Sequence, residues 1–177
     1  MHDRGGSSAV EFAIIAPVLA LLFAGIVDIG AVLLKRFQLD NTLSAAANYA
    51  LISQANVSAA NGGALATALA GIVSAAGTRT YADSAVVVNN GPSQKIVLGV
   101  VQPATGTASN ADLCYCPTGI APLVWGASVT CGSSCTSGLR AGKFVQIQAS
   151  RAHTPLFSGY GIVKRGTISV STLVQTG

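Results

Sequence analysis

The stretch that decides the fold is FAIIAPVLALLFAGIVDIGAVLL, residues 12–34, in which Asp28 is the only charged residue. As a helix this run extends over about 35 Å, which is enough to cross the hydrocarbon core of a bilayer. Pro17 lies inside the run, and membrane helices tolerate proline better than soluble helices do. The sequence therefore predicts a transmembrane helix in this part of the chain.

The composition agrees with a membrane segment joined to a small domain. The chain has 177 residues, of which 50% are hydrophobic and 9% are charged, whereas about 25% of the residues of soluble domains are charged. The net charge is +4, but the basic residues beyond the run are scattered and form no stripe. Nucleic-acid binding usually needs such a stripe, so the sequence predicts no nucleic-acid partner.

Two acidic residues mark the apolar segment. Glu11 stands just before it, and either Ser7 or Ser8 suits a helix N-cap, so Glu11 is explained adequately as a carboxylate near the positive end of the helix dipole. Asp28 lies about 8 Å from the middle of the run, where an ionised carboxylate costs about 2.5 to 3.5 kcal/mol. Either it reaches the wet interface, or it makes an intramembrane contact with a neighbouring helix.

After Lys35 and Arg36 the helix pattern continues but becomes amphipathic, with apolar residues at helical spacing and polar residues between them. We expect this helix to reach about residue 58, where Asn61-Gly62-Gly63 stops it, and a second helix to cover about 63–77. From about residue 84 to 175 the apolar residues alternate, as in strands with one buried face. Two of these strands are expected in AVVVNNGPSQKIVLGVVQP, joined across Asn89-Asn90-Gly91-Pro92.

Four cysteines, Cys114, Cys116, Cys131 and Cys135, fall within one loop-like segment. A single residue separates the first two, which is shorter than the usual spacing of zinc ligands, and a domain outside the cytoplasm favours disulfides. Four cysteines allow three pairings, and a bridge between Cys114 and Cys116 would be strained. The nested pairing of Cys114 with Cys135 and Cys116 with Cys131 is weakly favoured.

The sequence shows no catalytic equipment. It has no nucleophile elbow, no metalloprotease motif, no phosphate-binding loop and no paired carboxylates. His153 is the only histidine outside the first six residues, and a lone histidine at a strand end is more often structural than catalytic. We therefore expect no enzyme activity, no cofactor and no metal.

Taken together, RGGSSAVEFAIIAPVLALLFAGIVDIG at residues 4–30 and, more weakly, CYCP, CGSSC and FVQIQASRAHTPLF resemble the TadE-like pseudopilins. These are minor subunits of the tight-adherence (Tad, or Flp) pilus, a branch of the type IV pilus systems. The resemblance implies a pilin-like α+β fold. A long transmembrane and amphipathic helix would precede a short helix and a small antiparallel sheet with a disulfide-pinned loop.

The resemblance also implies that a membrane-embedded prepilin peptidase cuts between Gly6 and Ser7. Residues 1–6 would be a leader, residues 7–36 a single inner-membrane span with a cytoplasmic N-terminus, and residues 37–177 a periplasmic head. Glu11 would become the fifth residue of the mature chain and compensate the charge of its new amine. Other pilin subunits and the inner-membrane assembly platform would be partners. The positive-inside rule gives this orientation no support, because Lys35 and Arg36 flank the far end.

An alternative from another class is a secreted or envelope-anchored binding domain behind a conventional signal peptide. Ala45-Ala46-Ala47 supplies an A-x-A cleavage site. However, the apolar run is longer than the usual 7 to 15 residues of a signal peptide, and further helix intervenes before that site.

Overall fold

The computed structural model describes residues 7–75, 82–157 and 165–177. Two α-helices, α1 (Ser7–Ile52) and α2 (Gly62–Ala75), precede five strands. The strands are β1 (Asp83–Val88), β2 (Ser93–Val97), β3 (Val100–Val101), β4 (Phe144–His153) and β5 (Gly166–Gln175). Short 3-10 helices cover Gln54–Asn56 and Ala108–Asp112. The predicted α+β, pilin-like class is confirmed.

The sheet has the order β3-β2-β1-β4-β5. Strand β1 pairs antiparallel with both β2 and β4, and β2 pairs antiparallel with β3. The cysteine segment therefore carries the chain from one side of β1 to the other. Most of the first six residues of β4 are buried, so both faces of this part of the strand are covered.

One face of the sheet packs against α2. In α2, Leu65, Leu69 and Val73 lie on one side of the helix and are nearly inaccessible to solvent. Their spacing follows the 3.6-residue period of a helix with one buried face. Ser84 of β1 faces this helix, because its hydroxyl donates to the carbonyl of Ala70 at 3.0 Å. Val86 of β1, which is fully buried, stands opposite Ile147 of β4 in the register.

The turn between β1 and β2 forms at the predicted place. Asn89 and Asn90 have positive φ angles of 51° and 55°, as the two central residues of a type I′ turn do, and the Gly91 N–H donates to the Val88 carbonyl at 2.9 Å. The Asn89 side chain is fully buried, accepts from the Phe144 N–H at 3.1 Å and donates toward carbonyls of the second 3-10 helix. This asparagine therefore joins the turn, that helix and β4.

The structure corrects the prediction of one strand after this turn. Leu98 and Gly99 have φ angles of 51° and 78°, so the chain reverses a second time and β3 pairs back on β2. The sequence VLGVV is apolar throughout, and its alternation continues across the turn. Only the glycine indicated a break.

The helix ends also differ from the predictions. The α-helix stops at Ile52 rather than near residue 58, and the bonds from the N–H groups of Asn56 and Val57 follow 3-10 geometry. This tighter path buries Val57 and directs its carbonyl toward the Lys143 ammonium at 2.9 Å. Gly62 begins α2, whereas the predicted end near Gly77 lies outside the described residues.

Candidate functional site

The first part of α1 exposes large apolar side chains on all sides. Between Phe12 and Val27 the helix has no polar residue, and Phe12, Ile14 and Ile26 are each at least two-thirds exposed. A helix that is apolar all round belongs in a core or a membrane. Ala9–Ile52 is long and apolar enough to cross a bilayer, and little of its most apolar window is buried. This helix is consistent with a single-pass membrane anchor.

Glu11 lies at the start of this helix. Ser7 is the first described residue of α1, Glu11 is exposed, and Gly5 and Gly6 lie outside the described residues. The first helical turn contains no acidic residue, so Glu11 lies beyond the turn where the dipole effect is strongest. Ser7 and Glu11 are four residues apart and so share one helix face. Within the described part of the chain, nothing pairs with the Glu11 carboxylate.

Asp28 is buried and bonded to the backbone of its own chain. The residue is 1% exposed. Its two carboxylate oxygens accept hydrogen bonds from the N–H groups of Leu156, at 2.8 Å, and Phe157, at 3.1 Å. Hydrogen bonds to an ionised carboxylate are stronger than neutral ones. The sequence did not predict this contact with an irregular segment of the same chain.

His153, at the end of β4, also contacts α1. It is 3% exposed, and its Nδ1 lies 3.3 Å from the Lys35 ammonium. Because an ammonium has only donors, Nδ1 is the acceptor and the Nε2 carries the hydrogen. No carboxylate or nucleophile bonds to the ring among the described residues. The contact therefore gives His153 a structural role and offers no catalytic pair.

The cysteines form two disulfides, Cys114 with Cys131 and Cys116 with Cys135. The predicted disulfides are confirmed, but the weakly favoured nested pairing is wrong. The two Cα–Cα distances are 5.1 and 5.6 Å, within the usual range. The reason for the pairing is a β-bridge between Cys114 and Val129, which brings Cys114 near Cys131 and leaves Cys116 for Cys135.

The cysteine segment covers part of the second sheet face. The Gln146 side chain donates to the carbonyl of Ile120 at 3.1 Å. An open groove of about 450 Å³ lies on the same face, lined by residues that include Asp83, Lys95 and Gln148. Asp83 accepts from the Leu98 N–H at 2.7 Å, so its carboxylate is used in the β2–β3 turn. Within the described residues, no cluster of three metal-ligating side chains is present.

The long apolar helix, the short helix packed on a sheet and the pinned loop define a pilin-like protein of α+β class. A family described as TadE-like protein matches residues 6–48. The match covers less than half of the chain; it confirms the resemblance seen in the sequence and makes the N-terminal segment similar to that of TadE-like proteins. No curated protein and no solved structure matches the chain. The family is structural and pilus-associated, and it suggests a role alongside other pilus components.

Proposed function

We propose that the chain is a minor pilin or pseudopilin that takes part in assembly of a Tad (Flp) pilus for adhesion, surface colonisation or biofilm formation. The observation that carries this proposal is the exposed apolar surface of α1 within the segment that matches the TadE-like family. Such a surface must be covered by lipid before assembly and by other pilin helices during it. The head would supply further contacts to neighbouring subunits.

We place a prepilin-peptidase cut between Gly6 and Ser7. The new amine at Ser7 would be positively charged in apolar surroundings, where an uncompensated charge is costly. Glu11 lies one helical turn away and has no partner in the described structure. Its carboxylate can therefore compensate this amine or the amine of an adjacent subunit.

The proposed location is the bacterial inner membrane, with residues 37–177 as the periplasmic head. The two disulfides support a head outside the cytoplasm, because disulfides persist in the oxidising periplasm. The partners would be the lipid bilayer, the peptidase, the inner-membrane assembly platform and other pilin or pseudopilin subunits.

The signal-peptide alternative is less well supported. A cut after Ala47 would remove Leu39, Leu43 and Ala46, all nearly inaccessible in the structure. Losing three buried apolar side chains would cost several kcal/mol of stability. A secreted domain that begins at Asn48 would therefore lack part of its own core.

The mass of the mature N-terminus tests the cleavage. The chain is expressed with its peptidase and its intact mass is measured. We expect a start at Ser7. A start at Asn48 would support the signal peptide, and an intact Met1 would contradict both models. Gly6→Leu should block the cut because a protease binds an unencumbered backbone there, whereas the matched variant Gly5→Leu should still be processed.

A second experiment tests the assembly role of Glu11. Glu11→Ala and Glu11→Gln should be processed normally but should give a several-fold loss of incorporation into assembled complexes, measured by co-purification with other subunits. Asp40→Asn is the control, because Asp40 is another exposed carboxylate on α1. Normal incorporation of both Glu11 variants would refute charge compensation.

A further inference from the structure

We infer that the segment Thr154–Phe157, held by Asp28, lies in the membrane–water interface with Leu156 inserted among lipid headgroups and upper acyl chains. The hydrocarbon span of α1 then ends at Val27 instead of continuing to Arg36. This inference rests on the proposed membrane anchor. The partner of this surface is the bilayer itself.

The first argument comes from the backbone of this segment. Residues 154–157 form neither helix nor strand. Irregular backbone that faces lipid does not occur within the hydrocarbon region, because its polar groups would have no partners there. The Asp28 carboxylate holds the N–H groups of Leu156 and Phe157 against α1. Asp28 must therefore lie at or beyond the edge of the hydrocarbon.

The second argument is helix length. From Ser7 to Val27, α1 rises about 31 Å, which matches a hydrocarbon core of about 30 Å. From Ser7 to Arg36 it rises about 45 Å, which is the thickness of a whole bilayer with its headgroups. A span from Ser7 to Val27 therefore matches the hydrocarbon thickness, whereas a span from Ser7 to Arg36 exceeds it.

The third argument is the chemistry around the segment. Leu156 is 73% exposed, although it lies beside a carboxylate that no hydrocarbon could surround. An apolar side chain beside a polar anchor suits the interface, where one end is apolar and the other is wet. Lys35, about 10 Å further along the helix by its rise, lies at the depth of the headgroup layer, a common position for lysine, while its ammonium contacts His153 Nδ1 at 3.3 Å.

Tryptophan depth measurement tests the inference. Trp125 is the only tryptophan of the chain and stacks edge-on with Tyr115, so Trp125→Phe removes the signal but keeps an aromatic ring. In that background the full chain carries Leu19→Trp, Leu156→Trp or Leu34→Trp. Each is reconstituted into phosphatidylcholine vesicles whose acyl chains are brominated either near the headgroup or near the bilayer centre.

We expect Leu19→Trp to lose at least half of its fluorescence with the centre-brominated lipid. Leu156→Trp should be quenched to a similar extent by the headgroup-proximal bromines and little by the central ones. Leu34→Trp, about 9 Å beyond Asp28 by helical rise, should keep most of its signal in both lipids. Adding Asp28→Ala should reduce the quenching at position 156 at least twofold, because the segment is no longer held.

Three results would overturn the inference. The first is an unquenched Leu156→Trp, which would indicate that water or a protein neighbour surrounds it. The second is quenching of Leu34→Trp as strong as that of Leu156→Trp. The third is that Asp28→Ala leaves the quenching at position 156 unchanged. The proposed function fails differently. If Leu19→Trp is unquenched in both lipids, no transmembrane anchor exists, whereas a quenched Leu19→Trp with an unquenched Leu156→Trp contradicts only this inference.

Discussion

The parts of α1 before Lys35 and after Arg36 are both helical, but they treat apolar side chains differently. The first part exposes them and the second part buries them. Before Lys35, large apolar residues such as Phe12 and Leu22 are exposed. After Arg36, Leu39 and Leu43 are nearly inaccessible and polar residues such as Asp40 are exposed. Both parts are α-helical, so the difference lies in their side chains and in what surrounds them. The second part has the burial pattern of a water-soluble fold, whereas the first, up to Val27, has the exposed apolar surface expected of a helix that could span a membrane.

Buried polar groups show the same contrast. In the first part of the chain, Asp28 meets two backbone N–H groups at the end of an apolar run. In the head, Asn89 connects three separate segments by bonds from both ends of its amide. Asp28 holds a single segment, whereas Asn89 connects several segments of the head. Mutations in the two regions should therefore fail in different ways.

The largest effect is expected at Asn89. Asn89→Ala should lower the free energy of unfolding of the head by about 4 kcal/mol, because it orphans buried backbone groups and places alanine at positive φ. Chemical denaturation monitored by Trp125 fluorescence measures the loss. Asn90→Ala is the matched control, since Asn90 shares the positive φ but is less buried, and it should lose only about 1 kcal/mol. Equal losses would assign the whole effect to backbone strain.

The disulfides come next. Replacing Cys116 and Cys135 by serine should destabilise the head by about 3 kcal/mol, because the reduced chain regains the freedom of a loop that the bridge closes. Thermal unfolding of the double variant against the parent measures this. The observed pairing has its own check, since non-reducing peptide mapping should recover Cys114 linked to Cys131. Recovery of Cys114 linked to Cys135, or four reactive thiols in the unreduced protein, would contradict the structure.

Leu22 in the first part of α1 and Leu139 in the head are both 59% exposed. Replacing each by lysine therefore tests whether lipid or water surrounds the two leucines. Leu22→Lys should disfavour membrane insertion by about 2 kcal/mol, since a charge near the bilayer core is costly even with some snorkelling. Leu139→Lys should change the stability of the head by less than about 0.5 kcal/mol. Membrane fractionation and denaturation measure the two effects. If Leu22→Lys inserted as well as the parent, water would surround both leucines.

The sequence predicted those features that rest on local patterns. The long apolar run gave the helix, the alternating residues gave β1 and β4, and Asn89-Asn90 gave the turn, because each follows from the geometry of neighbouring residues. The contact of Asp28 could not be found in this way. Its partners lie 128 and 129 residues away, and they are backbone N–H groups, which every sequence supplies and no side-chain pattern marks.

The predicted cysteine pairing was wrong for a related reason. Spacing limited the choice, but the β-bridge between Cys114 and Val129 decided it, and CYCPTGIAPLVWGASVTCGSSC has no alternation that would predict such a bridge. The second turn at Leu98-Gly99 was missed because the residues on both sides are apolar. Long-range pairing and short turns within apolar runs are therefore the points at which the structure adds most to the sequence.

The smallest effect is expected for single hydroxyl hydrogen bonds within the head, and it tests whether burial determines how much such a bond stabilises the fold. Ser84 is 3% exposed and donates to the Ala70 carbonyl within α2. Ser84→Ala should cost about 1 kcal/mol, because the carbonyl loses a partner where water cannot easily replace it. Ser93 makes a shorter bond, 2.7 Å to the Thr105 hydroxyl, but an exposed one, and Ser93→Ala should cost less than about 0.5 kcal/mol. Denaturant midpoints of the two variants decide the matter. If Ser93→Ala cost more, bond length rather than burial would determine which hydroxyls stabilise the head.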